Sequence, residues 1–370
     1  MFSAQDRQHM QRALTLARQA LYITSPNPRV GCVIVRDGKV LGEGHTQRAG
    51  LAHAEVVALG VARSAGHDVT GATVYVTLEP CNHFGRTAPC TEALISARIG
   101  RVIAAMEDPN PQVAGQGLVR LRAAGIDVRC GLLANEALEL NPGFVKRMTL
   151  GLPWVRMKMA SSLDGRSALP DGTSQWITGR AARTDGHHWR ARACAVLTGI
   201  GTVLADDPQM NVRAVPTARQ PRRIVLDSRL QTPPAARILT STEESPGGAV
   251  TIAHALHDTD KQAVLQAQGA QVLHLPGENG QVDIAALLRT LASEGVNELH
   301  VEAGTRLNGA FLATGMVDEL LLYIAPILVG EGYGLATLPS LSSLDAALRL
   351  KMHQVERIGD DLRVLARFIH

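Results

Sequence analysis

Hydrophobic and polar positions recur with two periods along this chain, and the switches between them mark its elements. Met10, Ala13, Leu14 and Ala17 fall on one helical face, and Ser3 with Asp6 has the form of a capping box. Short apolar runs follow. VGCVIV (30–35) and Val40-Leu41 flank Asp37-Gly38 and predict a hairpin, because Asp-Gly suits a tight type I′ turn. The spacing predicts helices over 52–62 and 90–97 and strands over 73–78 and 101–106. The stretches 115–125, 126–130 and 134–147 continue that pattern. Strands separated by helices predict βαβ units in a largely parallel sheet.

After Gly151-Leu152-Pro153 the pattern starts again, so a domain boundary is expected near residue 148. Strands are predicted over 154–160, 193–199, 222–228, 249–255, 271–275, 298–304 and 319–330, with helices near 179–193, 259–268, 283–294 and 306–314. The second half is thus another α/β layer structure. No solenoid-type repeat is present, and the polar stretch STEESPGG (241–248) reads as an exposed, mobile loop.

Composition narrows the classes. A chain of 370 residues, 45% hydrophobic and 19% charged, can bury two cores. A net charge of +3 and 3% aromatics advertise neither a basic groove nor stacking platforms, so nucleic acid is not the expected partner. No uninterrupted apolar run reaches the roughly 18 residues needed to span a bilayer, and the first twenty residues lack an apolar secretory core. A cytoplasmic protein is expected. Five cysteines (Cys32, Cys81, Cys90, Cys130, Cys194), an odd number, argue against a disulfide framework and leave metal binding or catalysis as special roles.

LEPCNHFGRTAPC (78–90) lies at a predicted strand-to-helix junction, where α/β folds place ligands, and His53-Ala54-Glu55 opens an earlier helix. One imidazole and two thiolates form a catalytic zinc set, since the fourth tetrahedral position stays open for water. Zinc lowers the pKa of water to about 7, and a carboxylate beside it can carry the proton to a leaving amine. Taken singly, Cys81 and Cys90 read as structural thiols and His53 as a helix-start histidine. Together with Glu55 and Pro80, they follow the order H-x-E…P-C that zinc nucleobase deaminases use, although the second cysteine comes nine residues after the first instead of three. His83 is a competing ligand better read as a loop residue facing substrate.

SPNPRVGCVIV, HAEV, TLEPCNHFGRTAPC and MEDPNPQVAGQG together resemble the bifunctional riboflavin-biosynthesis deaminase/reductase family of bacteria, over nearly the whole chain. The resemblance implies an α/β fold with an N-terminal cytidine-deaminase-like α/β/α domain (1–147), followed by a dihydrofolate-reductase-like α/β domain (148–370). It implies Zn2+ on His53, Cys81 and Cys90, with Glu55 as the proton shuttle. Asn27, Arg86, Asp108 and Asn110 are implied contacts to the pyrimidine or phosphoribosyl group. The family's histidine seven residues before the zinc histidine is Thr46 here, with His45 as its expected substitute, and Leu51 stands where the family has an acidic residue.

In the second half KMASSLDGR, SQWIT, HHWRARA, ADDPQMNVR and VEAG resemble the reductase part of the family, which uses NADPH. Lys158 and Glu302 are the implied catalytic residues, and Ser174, Arg190, Met210, Arg213 and Glu302 the implied substrate contacts. Two guanidinium forks, Arg190 and Arg213, suit a phosphate. Ala160, Trp176, Thr202, Asp206, Ser228 and the turn Gly304, Thr305, Arg306, Leu307, Asn308, Gly309, Ala310 are implied cofactor contacts. The residues alone say less, because short glycine turns after strands are weak phosphate signals and G-x-G-x-x-G is absent from both. His187 and His188, about 100° apart on a predicted helix, read as surface or packing residues, and Trp189 as a core anchor. The expected assembly is a homo-oligomer, dimer or tetramer, acting on small phosphorylated pyrimidines. The alternatives are a nucleoside or nucleic-acid deaminase fused to an unrelated reductase, and a binding module that has lost one chemistry.

Overall fold

The computed structural model describes residues 1–82, 88–111, 113–241 and 247–369. His83 and Arg86, and most of the polar loop expected at 241–248, lie outside the described residues. The chain forms two compact units, Met1–Gly151 and Leu152–His370.

The first unit runs α1 (Ala4–Gln19), β1 (Gly31–Arg36), β2 (Lys39–His45), α2 (Ala54–Ser64), β3 (Thr73–Val76), α3 (Cys90–Ser96), β4 (Arg101–Ala104), α4 (Gln116–Ala123), β5 (Asp127–Cys130), α5 (Ala134–Leu140) and α6 (Pro142–Leu150). The capping box forms as its spacing predicts: the Ser3 side chain accepts from the Asp6 N–H, and the Asp6 carboxylate from the Ser3 N–H. Strand order is β2-β1-β3-β4-β5, antiparallel at β1/β2 and β1/β3 and parallel at β3/β4 and β4/β5. Asp37 and Gly38 take φ of 52° and 73°, the left-handed pair a type I′ hairpin turn requires.

Strand alternation divides the apolar residues between two cores. Cys32, Ile34, Val74, Val76, Val102 and Ala104 face α2, α3 and α4, whereas Val33, Val35, Tyr75 and Ile103 face α1 and α5. The result is an α/β/α sandwich. The stretch 134–147 folds as two helices because Asn141 leaves helical geometry and grips Arg29: Arg29 N–H donates to Asn141 Oδ1 (2.8 Å) and Asn141 Nδ2 to Arg29 O (2.9 Å). Pro142 then begins α6, where its missing N–H costs nothing. That helix ends at Gly151 in a left-handed cap, so the units divide four residues beyond 147.

The second unit runs β6 (Trp154–Ser162), α7 (Arg180–Arg192), β7 (Ala195–Gly199), α8 (Ile200–Asp206), β8 (Arg222–Leu226), β9 (Val250–His254), α9 (Thr259–Ala267), β10 (Gln271–His274), α10 (Ile284–Ser293), β11 (Glu298–Val301), α11 (Thr305–Ala313), β12 (Glu319–Ala325), β13 (Leu350–Ile358) and β14 (Asp361–Phe368). Its sheet has the order β10-β9-β8-β7-β11-β6-β12-β14-β13, parallel up to β12, with β14 and β13 antiparallel at the far edge. The hairpin β13–β14 has no counterpart among the predicted elements. Nearly every β13 residue is exposed on both faces, so no hydrophobic alternation marks it.

Sheet alternation again sorts the side chains. On β6, Val155, Met157 and Met159 enter the main core, while Arg156, Lys158 and Ala160 face the other way. Arg156 is fully buried, paired with Glu319 (2.6 Å) and Glu298 (3.1 Å), with its guanidinium 4.5 Å from the Trp189 ring. Trp189 is half-buried and packs on the Ala182, Leu321, Tyr323 and Leu365 cluster, with Arg192 and Arg363 also near its ring.

Candidate active sites

Four functional elements converge at one end of the first sheet. β3 and β4 are parallel and end there, the antiparallel β1 begins there, and the first turn of α2 arrives after β2. His53 occupies the N-cap position of α2 but makes no side-chain cap, which leaves its imidazole to face the LEPC turn. His53 Nδ1 lies 3.5 Å from Cys81 Sγ and 3.3 Å from Cys90 Sγ, and the three donor atoms lie within 4.8 Å of one another. This compact nitrogen-and-sulfur set suits zinc in chemistry and number.

The two thiols do not titrate alike. Hydrogen bonding from Cys90, opposed by burial and helped by His53, pulls the Cys81 thiol down, whereas donation to Cys81 and burial push Cys90 up. Cys90 N–H also donates to Cys81 Sγ (3.3 Å). Glu55, in the first turn of α2, is 3% exposed, and burial together with the Cys81 charge raises its carboxyl to about 7. A group poised there can take and return a proton near neutrality.

Other expected contacts surround this end. Asn27 is half-buried in the segment before β1, its N–H bonded to Thr24 O (2.9 Å). His45 closes β2 half-buried, while Thr46 is buried with its N–H on Val30 O (2.9 Å). Leu51 is exposed. Asp108 and Asn110 follow β4, where Asp108 Oδ1 accepts from the Asn110 N–H (2.9 Å). Beside Pro80-Cys81, Glu79 is a buried carboxylate that the sequence did not single out. A polar residue flanked by Leu78 and Pro80 was the available signal.

In the second unit a polar site forms on the sheet face beneath α7. Glu298, His300 and Glu302 alternate onto this face from β11 and its extension, beside Arg156 and Lys158 of β6, and α7 contributes Arg190. Arg190 grips Glu302 through both fork nitrogens (2.5 and 2.9 Å), and its third nitrogen donates to Asn211 O (3.1 Å). The Arg190 fork is therefore taken up inside the protein. Burial would raise the Glu302 carboxyl, but Arg190 outweighs it and holds the group well below the ordinary range. Burial pulls the Lys158 amine down, opposed by Glu302 and aided by Arg190.

Arg213 lies beside this group, its Nη1 on Asn211 Oδ1 (3.2 Å) and its N–H on His187 Nδ1 (3.3 Å). His187 is buried and packs as expected, held down to about 4 by burial and by Arg190 and Arg213, while His188 is exposed. Met210 is buried with φ of 53°. His300, fully buried 3.3 Å from Glu302, was missed, although the alternation in ELHVE places it with Glu298 and Glu302.

The expected cofactor contacts follow the carboxyl ends of the parallel strands. β7 and β11 are neighbours, and each leads through a glycine, Gly199 and Gly304, into a helix. A Cβ at Gly201 or Gly304 would meet nothing within 4 Å, so backbone there is open to a ligand. Thr198 Oγ1, buried on β7, lacks a hydrogen-bond partner among the described residues. Ala160 is half-buried at the β6 end, Thr202 is half-buried on α8, and Asp206 accepts from Gln175 Nε2 (3.0 Å) next to Trp176, which is 66% exposed. Ser174 is half-buried two residues before that tryptophan. Ser228 Oγ accepts from the Val282 N–H (3.2 Å).

The stretch expected as a turn, 304–310, is the N-cap and opening of α11, where Thr305, Arg306, Leu307 and Ala310 are partly or fully exposed. Asn308 and Gly309 turn inward: Asn308 Nδ2 donates to Leu335 O (2.9 Å), and a Cβ on Gly309 would sit 2.0 Å from Thr337 O. Two strand-to-helix junctions that open on glycine at the carboxyl ends of neighbouring parallel strands are the kind of place where α/β folds hold phosphate groups.

Comparison with known proteins gives each unit a family. Residues 3–106 match the cytidine and deoxycytidylate deaminase zinc-binding region, and residues 153–364 match the RibD C-terminal domain. The chain is 46% identical over 371 residues to riboflavin biosynthesis protein RibD of Escherichia coli (strain K12), covering 97% of this chain and 98% of that one. It is 43% identical to the Aquifex aeolicus protein of the same name, covering 96% and 97%. Among solved structures, Acinetobacter baumannii RibD superposes with a TM-score of 0.88 at 42% identity, over 99% of each chain. The Thermotoga maritima diaminohydroxyphosphoribosylaminopyrimidine deaminase/5-amino-6-(5-phosphoribosylamino)uracil reductase does so at 0.86 and 32%, over 99% of each. With a deaminase-like first domain, a RibD reductase second domain and full-length relatives, the chain belongs to the RibD family of bifunctional riboflavin-biosynthesis proteins.

Proposed function

We infer that the chain catalyses two consecutive steps of riboflavin biosynthesis. The first is zinc-dependent hydrolytic deamination of 2,5-diamino-6-(5-phosphoribosylamino)pyrimidin-4(3H)-one to 5-amino-6-(5-phosphoribosylamino)uracil. The second is NADPH-dependent reduction of the ribosyl group of that product to ribityl. The observation that carries the reading is the His53, Cys81 and Cys90 cluster with buried Glu55 beside it, in a chain whose second domain is a RibD reductase.

In the deaminase, His53, Cys81 and Cys90 would hold zinc, which would supply Lewis-acid activation of water. Glu55 would carry the proton to the departing amine nitrogen, a role that its burial in the first turn of α2, two residues from His53, supports. Asn27, His45, Asp108 and Asn110 hold the pyrimidine and phosphoribosyl group, Asn27 with an amide fixed between two prolines. Arg86 is assigned to the same substrate from sequence alone.

In the reductase, bound NADPH would supply the hydride for C1′ of the ring-opened ribose. Lys158 stands beside the reacting sugar or the pyrimidine oxygen, with Glu302 fixed by Arg190 next to it, and Ser174 and Met210 bound the substrate. Arg213 takes the phosphate, a role its proximity to Arg190 without a carboxylate of its own among the described ion pairs supports. Ala160, Trp176, Thr202, Asp206, Ser228 and the turn from Gly304 hold the cofactor. Among the described residues no helix is long and apolar enough to cross a membrane. We read the protein as a cytoplasmic homo-oligomer, dimer or tetramer, that acts on small phosphorylated pyrimidines and not on nucleic acid, consistent with its small net charge of +3.

A two-stage assay tests the reading: ammonia release from the diaminopyrimidine phosphate, then NADPH oxidation once that product has formed. Both are expected in that order, and zinc removal is expected to abolish only the first. Ammonia release from cytidine or tRNA, with none from the diaminopyrimidine phosphate, would overturn it.

A further inference from the structure

Glu79 is 5% exposed, and no ion pair compensates it among the described residues. A buried carboxylate in that position is costly unless hydrogen bonds replace its water. Here four backbone N–H groups do so. Oε1 accepts from Gly117 (2.7 Å) and Leu118 (3.3 Å), and Oε2 from Gly115 (2.9 Å) and Asp108 (3.0 Å). Three of these donors belong to the start of α4, which a carboxylate suits. The fourth, Asp108, lies seven residues upstream of Gly115, in the segment leaving β4.

The sequence around these donors is shaped to the carboxylate. A Cβ at Gly117 would stand 2.1 Å from Pro80 O and 3.0 Å from Glu79 Oε1, so only glycine lets α4 approach the LEPC turn this closely. Gly115 has φ of 77°, which bends the chain into the helix. Two residues past Glu79, Cys81 faces His53; at the carboxylate's other side, Asp108 begins the turn that holds Asn110.

We propose that Glu79 is a positioning residue of the deaminase site, tying the turn that presents Cys81 to the loop that presents Asp108 and Asn110. The proposal rests on the deaminase reading for its functional consequence, while the tie itself is a matter of backbone hydrogen bonds. A helix cap alone would account for Gly117 and Leu118; the bond to Asp108 extends the carboxylate's hold to the substrate loop.

The test is E79Q in the full-length protein, because the amide keeps the size but turns an NH2 toward N–H donors. Zinc content, and NADPH oxidation on supplied deaminated intermediate, should match the unaltered protein. The deaminase KM should rise about tenfold or more while kcat falls less, since what is lost is the placement of groups that hold substrate. Hydrogen exchange should show lost protection at the Asp108 and Gly115 amides, with the β3 and β4 amides still protected. G117A, with Glu79 intact, should give the same KM rise by pushing α4 off the turn. The proposal is overturned if the Asp108 and Gly115 amides stay protected in E79Q, or if they open and KM and kcat do not move. Where E79Q cannot be recovered folded, an unchanged KM in G117A overturns it. Absence of ammonia release from the unaltered protein would sink the deaminase reading alone, because the exchange experiment uses no substrate.

Discussion

Replacing Arg190 with methionine should destabilise the second unit by about 3–5 kcal/mol at pH 7, the range for a buried ion pair that loses one partner. Both side chains are only 15% exposed, and both fork nitrogens are engaged at 2.5 and 2.9 Å. What remains near the stranded Glu302 is His300 at 3.3 Å, itself held neutral by burial, and the Lys158 amine. The double variant R190M/E302Q removes the stranded charge as well. It should recover most of the loss, leaving a coupling of roughly 2–4 kcal/mol between the two sites.

The assay is urea unfolding followed by tryptophan fluorescence. All three tryptophans, Trp154, Trp176 and Trp189, belong to the second unit, so the signal reports that unit alone. In thermal unfolding followed by the same fluorescence, the single variant's midpoint temperature should fall on the order of 10 °C. Acid sharpens the test. Glu302 has a folded pKa below its ordinary 4.5, so its contribution is fully present above about that pH and is lost as pH falls toward the folded value. The gap between R190M and the unaltered protein should therefore narrow below pH 4.5. A single-variant cost under about 1 kcal/mol, or a double variant whose cost is the plain sum of the two singles, would refute the reasoning.

Two further predictions concern chemistry. E55Q should retain zinc and its fold yet release ammonia about 10²–10⁴ times more slowly, since an amide cannot carry the proton; near-normal ammonia release with zinc bound would remove Glu55 from that role. R213A should raise the reductase KM about ten- to a hundredfold, the worth of a charge-assisted bond to phosphate, with kcat less affected and deamination untouched. Unchanged reductase kinetics would exclude Arg213 from the phosphate site.

What the sequence by itself determined is what local pattern encodes. The α1 capping box, the Asp37-Gly38 turn and the strand–helix alternation need only near neighbours. His53, Cys81 and Cys90 were legible because metal chemistry restricts residue type, and the structure brings their donor atoms together. Tertiary structure decided the rest. Asn141 breaks one helical stretch into two because Arg29, 112 residues away, offers its backbone. β13 is exposed along nearly its whole length, so what marks it as a strand is its pairing with β14, which β12 in turn holds in the sheet. Arg190 offered a free phosphate fork in sequence, yet Glu302 takes that fork, because α7 lies across the strand that leads to Glu302. Glu79 shows the same limit most clearly. Four N–H groups scattered over residues 108–118 become its partners only when β3, β4 and α4 meet, and no periodicity in a linear chain records which backbone a buried charge will find.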